Sequence, residues 1–245
     1  MVDCYAQVII EKMKAQLKDV KFDNTLFTEN DFYDKAIDVV EALEKESGVS
    51  NYKFANGASK GVIWDKRSDY VVKIPINGSY GDYAYSESGA YLGYDNDMEK
   101  WYGGGFDNGW DYCLTESYLY ADACEWGLAA AFAGTVKIND NIYVQEKATI
   151  FSEILEKRRI ESKLEPSCNG YADYIQSLIR QSGTYLSTGQ LAEIWMLDFI
   201  DYHGEEKFLE FLEFINENCI NDLHWNNIGY IGDRPVLVDY SGFDY

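Results

Sequence analysis

The chain has 245 residues, 47% of them hydrophobic and 16% aromatic, which suits one large domain or a domain with an appendage and excludes wholesale disorder. Asp and Glu number 42 against 21 Lys and Arg, a formal net charge of -21. Such a field repels phosphate backbones and anionic lipid, so nucleic acid and membrane surfaces are poor partners for it.

Five cysteines (Cys4, Cys113, Cys124, Cys168, Cys219) are odd in number, widely spaced and without a C-x-x-C pair. That predicts reduced thiols rather than a disulfide framework or a zinc site. The N-terminus carries early acids and no apolar run long enough for a signal peptide or a span. The expectation is a soluble, cytoplasmic protein.

In chain order, Val2, Tyr5, Ile9, Met13 and Leu17 recur at helical spacing. A second helix is predicted from near Asn30, with Phe32, Ile37, Val40 and Leu43 on one side. Residues 1–48 thus read as an N-terminal helical appendage. Short strands follow at Tyr52–Ala55, Val62–Asp65 and Tyr70–Ile74, separated by turn-rich stretches, the pattern of an antiparallel meander.

Residues 77–111 hold eight Gly and six Tyr. They read as a flexible surface loop or, more sharply, as a functional flap inserted at 77–110. Next come a helix from about Asp111 to Trp126 and a hairpin, Thr135–Ile138 and Ile142–Lys147. Helices are predicted at roughly 152–163, 171–182, 189–202 and 205–217, then two strands, Ile228–Ile231 and Val236–Asp239, around a turn at Gly232-Asp233.

The informative segment is Asp222-Leu223-His224-Trp225-Asn226-Asn227-Ile228-Gly229, followed by Val236-Leu237-Val238-Asp239-Tyr240. Phosphoryl transfer from ATP needs a carboxylate beside the acceptor hydroxyl and oxygen ligands that hold magnesium on the phosphates. Asp222, Asn227 and Asp239, set around a short hairpin, are residues of those types. Asp and Asn also serve as turn caps, which explains either one alone but poorly explains the spaced set.

These residues resemble the protein-kinase-like superfamily. The run DLHWNNIG is similar to the catalytic loop of aminoglycoside and choline phosphotransferases and of protein kinases, and VLVDY to the strand that delivers a magnesium-binding Asp. The resemblance implies an α+β fold of two lobes: a small antiparallel-sheet lobe, residues 49–148, and a reduced helical lobe, residues 149–245. It implies Asp222 as catalytic base, Asn227 and Asp239 as magnesium ligands, and ATP and Mg2+ as cofactors.

Upstream, Tyr70-Val71-Val72-Lys73-Ile74 resembles the strand whose lysine pairs with the α/β-phosphates, and Glu116 on the next helix is its expected partner, with Glu125 as substitute. Asn56-Gly57-Ala58-Ser59-Lys60-Gly61 falls where a phosphate-covering loop belongs. Gly57, Ser59 and Gly61 would cradle phosphate and Lys60 would add a local cation, although a plain hairpin turn fits nearly as well. The strand ending at Glu146 resembles the one entering the hinge that binds adenine through its backbone.

The chain departs from the family pattern at Ile220, where the family has His, and at Tyr240-Ser241-Gly242 after Asp239. Six residues follow Asp239, with neither an activation loop nor a helical substrate platform among them. The resemblance therefore implies a minimal kinase with a protein Ser/Thr as the preferred acceptor, or one whose acceptor site a protein partner completes. The competing readings are a pseudokinase acting through protein contacts and a small-molecule kinase.

Overall fold

A computed structural model of the chain describes residues 11, 13–15, 17–20, 27–47, 51–56, 60–77, 84–85, 90–95, 100–107, 112–139, 142–154, 169–183, 190–220 and 223–241. The fold class is α+β, as the sequence predicts. The chain divides into two compact units, one of residues 1–117 and 135–145 and one of residues 118–134 and 146–244.

The first unit carries the larger sheet. After β1 (Phe27–Thr28) and α1 (Glu29–Ser47), the meander β2 (Tyr52–Asn56), β3 (Lys60–Asp65) and β4 (Tyr70–Asn77) pairs antiparallel in sequence order. The hairpin of β8 (Thr135–Asn139) and β9 (Ile142–Glu146) extends it, giving the order β2-β3-β4-β9-β8, with β1 parallel to the end of β4.

Alternation decides what each face of that sheet does. Tyr70, Val72 and Ile74 of β4 and Ile63 of β3 are buried in one core with Ile142 and Val144. Met13, Leu17, Ala36, Val39 and Leu43 join that core, so the N-terminal helical residues and α1 pack on this face of the sheet. Asn139 ties the arrangement by donating to the carbonyl of Leu17 at 3.0 Å.

Residues 84–107 contain a sheet of their own: β5 (Ala84–Tyr85), β6 (Ala90–Asp95) and β7 (Lys100–Asp107), antiparallel, with a register shift between Ala90 and Leu92. The sequence reading of this stretch as a loop is thereby corrected. Its many tyrosines, with Trp101 and Phe106, favour extended backbone, and the interspersed glycines conceal the alternation that would have shown it.

The second unit is helical. It begins inside α2 (Tyr112–Glu125), which ends near Trp126, and continues through a 3-10 turn at Ala129–Ala131. After β10 (Thr149–Ile150) come α3 (Asn169–Ser182), α4 (Gln190–His203) and α5 (Glu205–Glu217). Residues 151–154 are helical; the rest of the helix predicted at 152–163 lies outside the described residues.

Helix α5 buries Phe208, Phe211, Leu212, Phe214 and Ile215, each removing apolar surface worth roughly 1.5–3 kcal/mol. They meet Trp195 and Phe199 of α4 and Phe132. On this core lies β10 with the hairpin β11 (Ile228–Ile231) and β12 (Arg234–Leu237), in the order β10-β11-β12. Gly232 has φ 63 at the first of two loop positions, where a type II′ hairpin requires positive φ. Gly229 sits so close to β10 that a Cβ there would stand 2.5 Å from the Thr149 carbonyl oxygen.

Candidate active site

In the sheet unit, Lys73 and Glu116 meet. The β4 lysine donates to Glu116 Oε2 at 2.8 Å and Oε1 at 3.1 Å. Lys73 is 4% exposed and Glu116 fully buried, so the pair lies in a low-dielectric setting where charges hold one another strongly. The helix delivers Glu116 from the fifth position of α2, inside its first turn and a half.

A third charge belongs to the same cluster. Lys60 donates to Glu116 Oε1 at 2.7 Å and is 5% exposed. The strand register explains the meeting. Val62 lies opposite Lys73 and Lys60 opposite Pro75, so the two lysines are diagonal neighbours on one sheet face, the face turned away from the Ile63–Val72–Ile74 core. The sequence reading had Lys60 only as a local cation beside a loop; its link to Glu116 depends on register, which residue spacing within one strand does not reveal.

Of the expected phosphate loop, Gly61 is described: it is buried in β3, paired with Asn56 and Ile74. Gly57 and Ser59 lie outside the described residues. Glu125, the substitute partner for Lys73, is an exposed residue at the end of α2.

In the helical unit, Asn227 and Asp239 stand on either side of the β11–β12 hairpin. The Asn227 carbonyl accepts the N–H of Val238 at 2.7 Å and that of Asp239 at 3.4 Å, and its own N–H donates to the His224 carbonyl at 2.8 Å. Asn227 is 8% exposed, and Asp239 is half-buried with Ser241 Oγ 3.5 Å from its Oδ1. These bonds fix the two backbones beside one another, and an amide oxygen and a carboxylate are both ligand types that a hard cation takes. Among the described residues, no three His, Cys, Asp or Glu side chains cluster as a metal-binding group. Asp222 lies outside the described residues.

The chain enters this loop through a sharp reversal after α5. Cys219 has φ 54, and the N–H groups of Cys219 and Ile220 donate back to Asn216 and Ile215 at 3.3 and 2.8 Å. That is a Schellman C-cap with cysteine in the left-handed position usually held by glycine. Ile220 is buried in the helical core, so apolar packing fills this position.

Beyond Asp239 the chain is pinned by Tyr240. Its ring is fully buried, meets Phe132 edge-on at 5.1 Å, and its hydroxyl donates to the Ala133 carbonyl at 2.9 Å. The Ala133 N–H donates to the Leu237 carbonyl at 2.8 Å, fastening the end of β12. Tyr240 was legible in the sequence only as a departure from the family pattern; its anchoring role was not.

The Glu146 side chain pairs with Arg234 at 3.1 and 3.0 Å and accepts the Gly134 N–H at 2.9 Å. Its carboxylate is thus engaged within the helical unit, and its backbone N–H donates to the Gly134 carbonyl at 3.1 Å. Nearby, burial pushes the Tyr120 phenol well above its ordinary range, with Cys124 and Glu146 adding to the shift. A cavity of about 480 Å³ in the same unit is lined in part by Asp198, Asp201, Tyr230 and Asp233, none of them a sequence-predicted site residue.

Among the described residues, no helix is long and apolar enough to cross a membrane. No protein-family model and no curated protein matches the chain. A solved structure, the streptomycin–ATP–APH(2")-IIa ternary complex, is similar to this chain at 13% identity and a TM-score of 0.35, covering 83% of this chain and 70% of that one. At that level the likeness assigns no activity here.

Proposed function

We propose that the chain is an ATP- and magnesium-dependent phosphotransferase that moves the γ-phosphate of ATP to a hydroxyl acceptor. The observation that carries the reading is the buried Lys73–Glu116 ion pair between a central strand and the following helix. Burying an ammonium and a carboxylate costs several kcal/mol per ion in desolvation, and apolar residues of similar volume would often be as stable. A pair kept at that cost is well explained by a task, and holding a lysine toward α/β-phosphates is such a task.

In this reading Asn227 and Asp239 would hold a magnesium ion, whose charge would neutralise the phosphates. Asp222 accepts the proton from the acceptor hydroxyl as its oxygen bonds to the γ-phosphorus. The bond from that phosphorus to the bridging oxygen then breaks and ADP leaves. The role of Asp222 rests on its sequence position five residues before Asn227.

Asp222→Asn tests the reading because it keeps size and hydrogen bonding but cannot take the proton. Wild type should bind Mg2+·ATP in calorimetry and release ADP slowly even with water as acceptor. The variant should bind as tightly and lose turnover by about 10²–10⁴. Equal turnover in the two proteins would make the chain a nucleotide-binding module. No binding by wild type would remove the phosphotransferase reading altogether.

A further inference from the structure

We infer that Lys60 is a second phosphate-binding lysine, acting beside Lys73 through the carboxylate they share. This rests on the nucleotide reading above and gives Lys60, expected only as a local cation beside the loop, a defined place in the clamp through Glu116. Lys73 by itself engages both oxygens of Glu116, at 2.8 and 3.1 Å. The carboxylate is therefore already matched in charge when Lys60 adds a further contact at 2.7 Å. Burying another ammonium to 5% exposure adds desolvation cost without being needed to neutralise Glu116.

Geometry gives the second lysine its use. Both ammonium nitrogens bond one oxygen, Glu116 Oε1, at 2.7 and 3.1 Å, so they are no more than about 6 Å apart, where like charges in a protein interior repel appreciably. An anion with several charged oxygens can bond both ammonium groups at once, and a di- or triphosphate is such an anion. In a chain of net charge -21, two buried lysines on one sheet face form a local exception to the prevailing field. Lys60 is also the first residue of β3, directly after Gly57–Ser59, so its bond to Glu116 ties the start of that strand to the Lys73 pair.

The test uses the full chain and two probes, Mg2+·ATP and adenosine, titrated by calorimetry into wild type, Lys60→Met and Lys60→Arg. A phosphate-binding lysine predicts that Lys60→Met weakens ATP on the order of tenfold while adenosine affinity stays the same, and that Lys60→Arg restores most of the loss. Lys73→Met should retain part of the preference for ATP over adenosine, and the Lys60→Met, Lys73→Met double variant should retain none. Should Lys60→Met fail to fold, Lys60→Gln removes the charge, keeps a donor toward Glu116 and reads the same ratio. If wild type binds both probes and the ratio of affinities is unmoved by loss of Lys60, the inference is overturned while the nucleotide reading stands. If wild type binds neither probe, both fall.

Discussion

The carbonyl of Asn227 accepts the backbone N–H of Asp239, so the two residues assigned to magnesium are joined by the main chain as well as by their proposed ligand. The link lies within one unit and is short in space, although the residues are separated in sequence by the whole β11–β12 hairpin. Val238, bonded to the same oxygen at 2.7 Å, makes the joint the firmer of the two contacts.

A consequence is that the metal ligand and the fold can be separated by mutation. Asp239→Asn leaves every backbone bond of the joint in place and removes only the carboxylate charge. The variant should melt within about 2 °C of wild type without nucleotide, because asparagine keeps the size of the side chain and an oxygen that can accept from Ser241. Its additional stabilisation by ATP should no longer depend on magnesium. A thermal-shift titration of Mg2+ at fixed ATP measures this, and an unchanged Mg2+ dependence would take Asp239 out of the metal site.

The shared carboxylate predicts an asymmetry within the clamp. Glu116→Gln removes the counter-charge from two buried lysines at once, whereas Lys73→Met leaves Glu116 still bonded to Lys60. Breaking a buried pair by deleting one partner costs about 3–5 kcal/mol. Glu116→Gln should reach that range in urea unfolding and Lys73→Met should fall clearly below it. Phosphotransfer should follow the opposite order, with Lys73→Met the more damaging. Equal stabilities for the two variants would mean that Lys60 does not share the carboxylate in solution.

The contrast shows where residue patterns suffice. Helix α5 was legible at its bounds, Glu205–Glu217, because Phe208, Leu212 and Ile215 mark one face. Lys73 was legible because a charge inside an apolar strand is conspicuous, and Glu116 because it follows on the next helix. Lys60 was not: its partnership is fixed by cross-strand register between β3 and β4, a non-local property. Strands β6 and β7 were hidden for a different reason, since glycine lowers strand propensity while leaving the backbone free to pair. The cap at Cys219 gave no signal either, because cysteine is not a residue that marks a left-handed position.

That cap carries its own prediction. A left-handed residue with a side chain costs about 1–2 kcal/mol relative to its relaxed form, and glycine removes the cost while losing some entropy on folding. Cys219 is exposed, so no buried contact is sacrificed by replacing it. Cys219→Gly should therefore stabilise the chain by about 1 kcal/mol, a rise of roughly 2–4 °C in Tm. Cys219→Val, with a branched β-carbon in the same conformation, should lower it. Because the cap leads directly into Asn221 and Asp222, the pair of variants also tests whether a tighter loop entry changes turnover at constant nucleotide affinity.

The remaining prediction concerns pH. His203 ends α4, half-buried, with its ring 4.4 Å from that of Phe199 and its Nε2 3.4 Å from the Pro235 carbonyl oxygen. Burial lowers its pKa from the ordinary 6.5, the neighbouring Arg234 lowers it further, and the Pro235 contact opposes the shift. The folded state thus holds His203 neutral at a pH where the unfolded chain already binds a proton. Its contribution is present above the unfolded pKa of about 6.5 and is lost as pH falls through that value toward the lower folded one. Stability should decline between about pH 7 and pH 5 with a component that His203→Gln removes, since glutamine can still donate to the Pro235 carbonyl but does not titrate. Urea midpoints of both proteins across that range decide it: a decline of the same size in His203→Gln would assign the acid sensitivity to other groups.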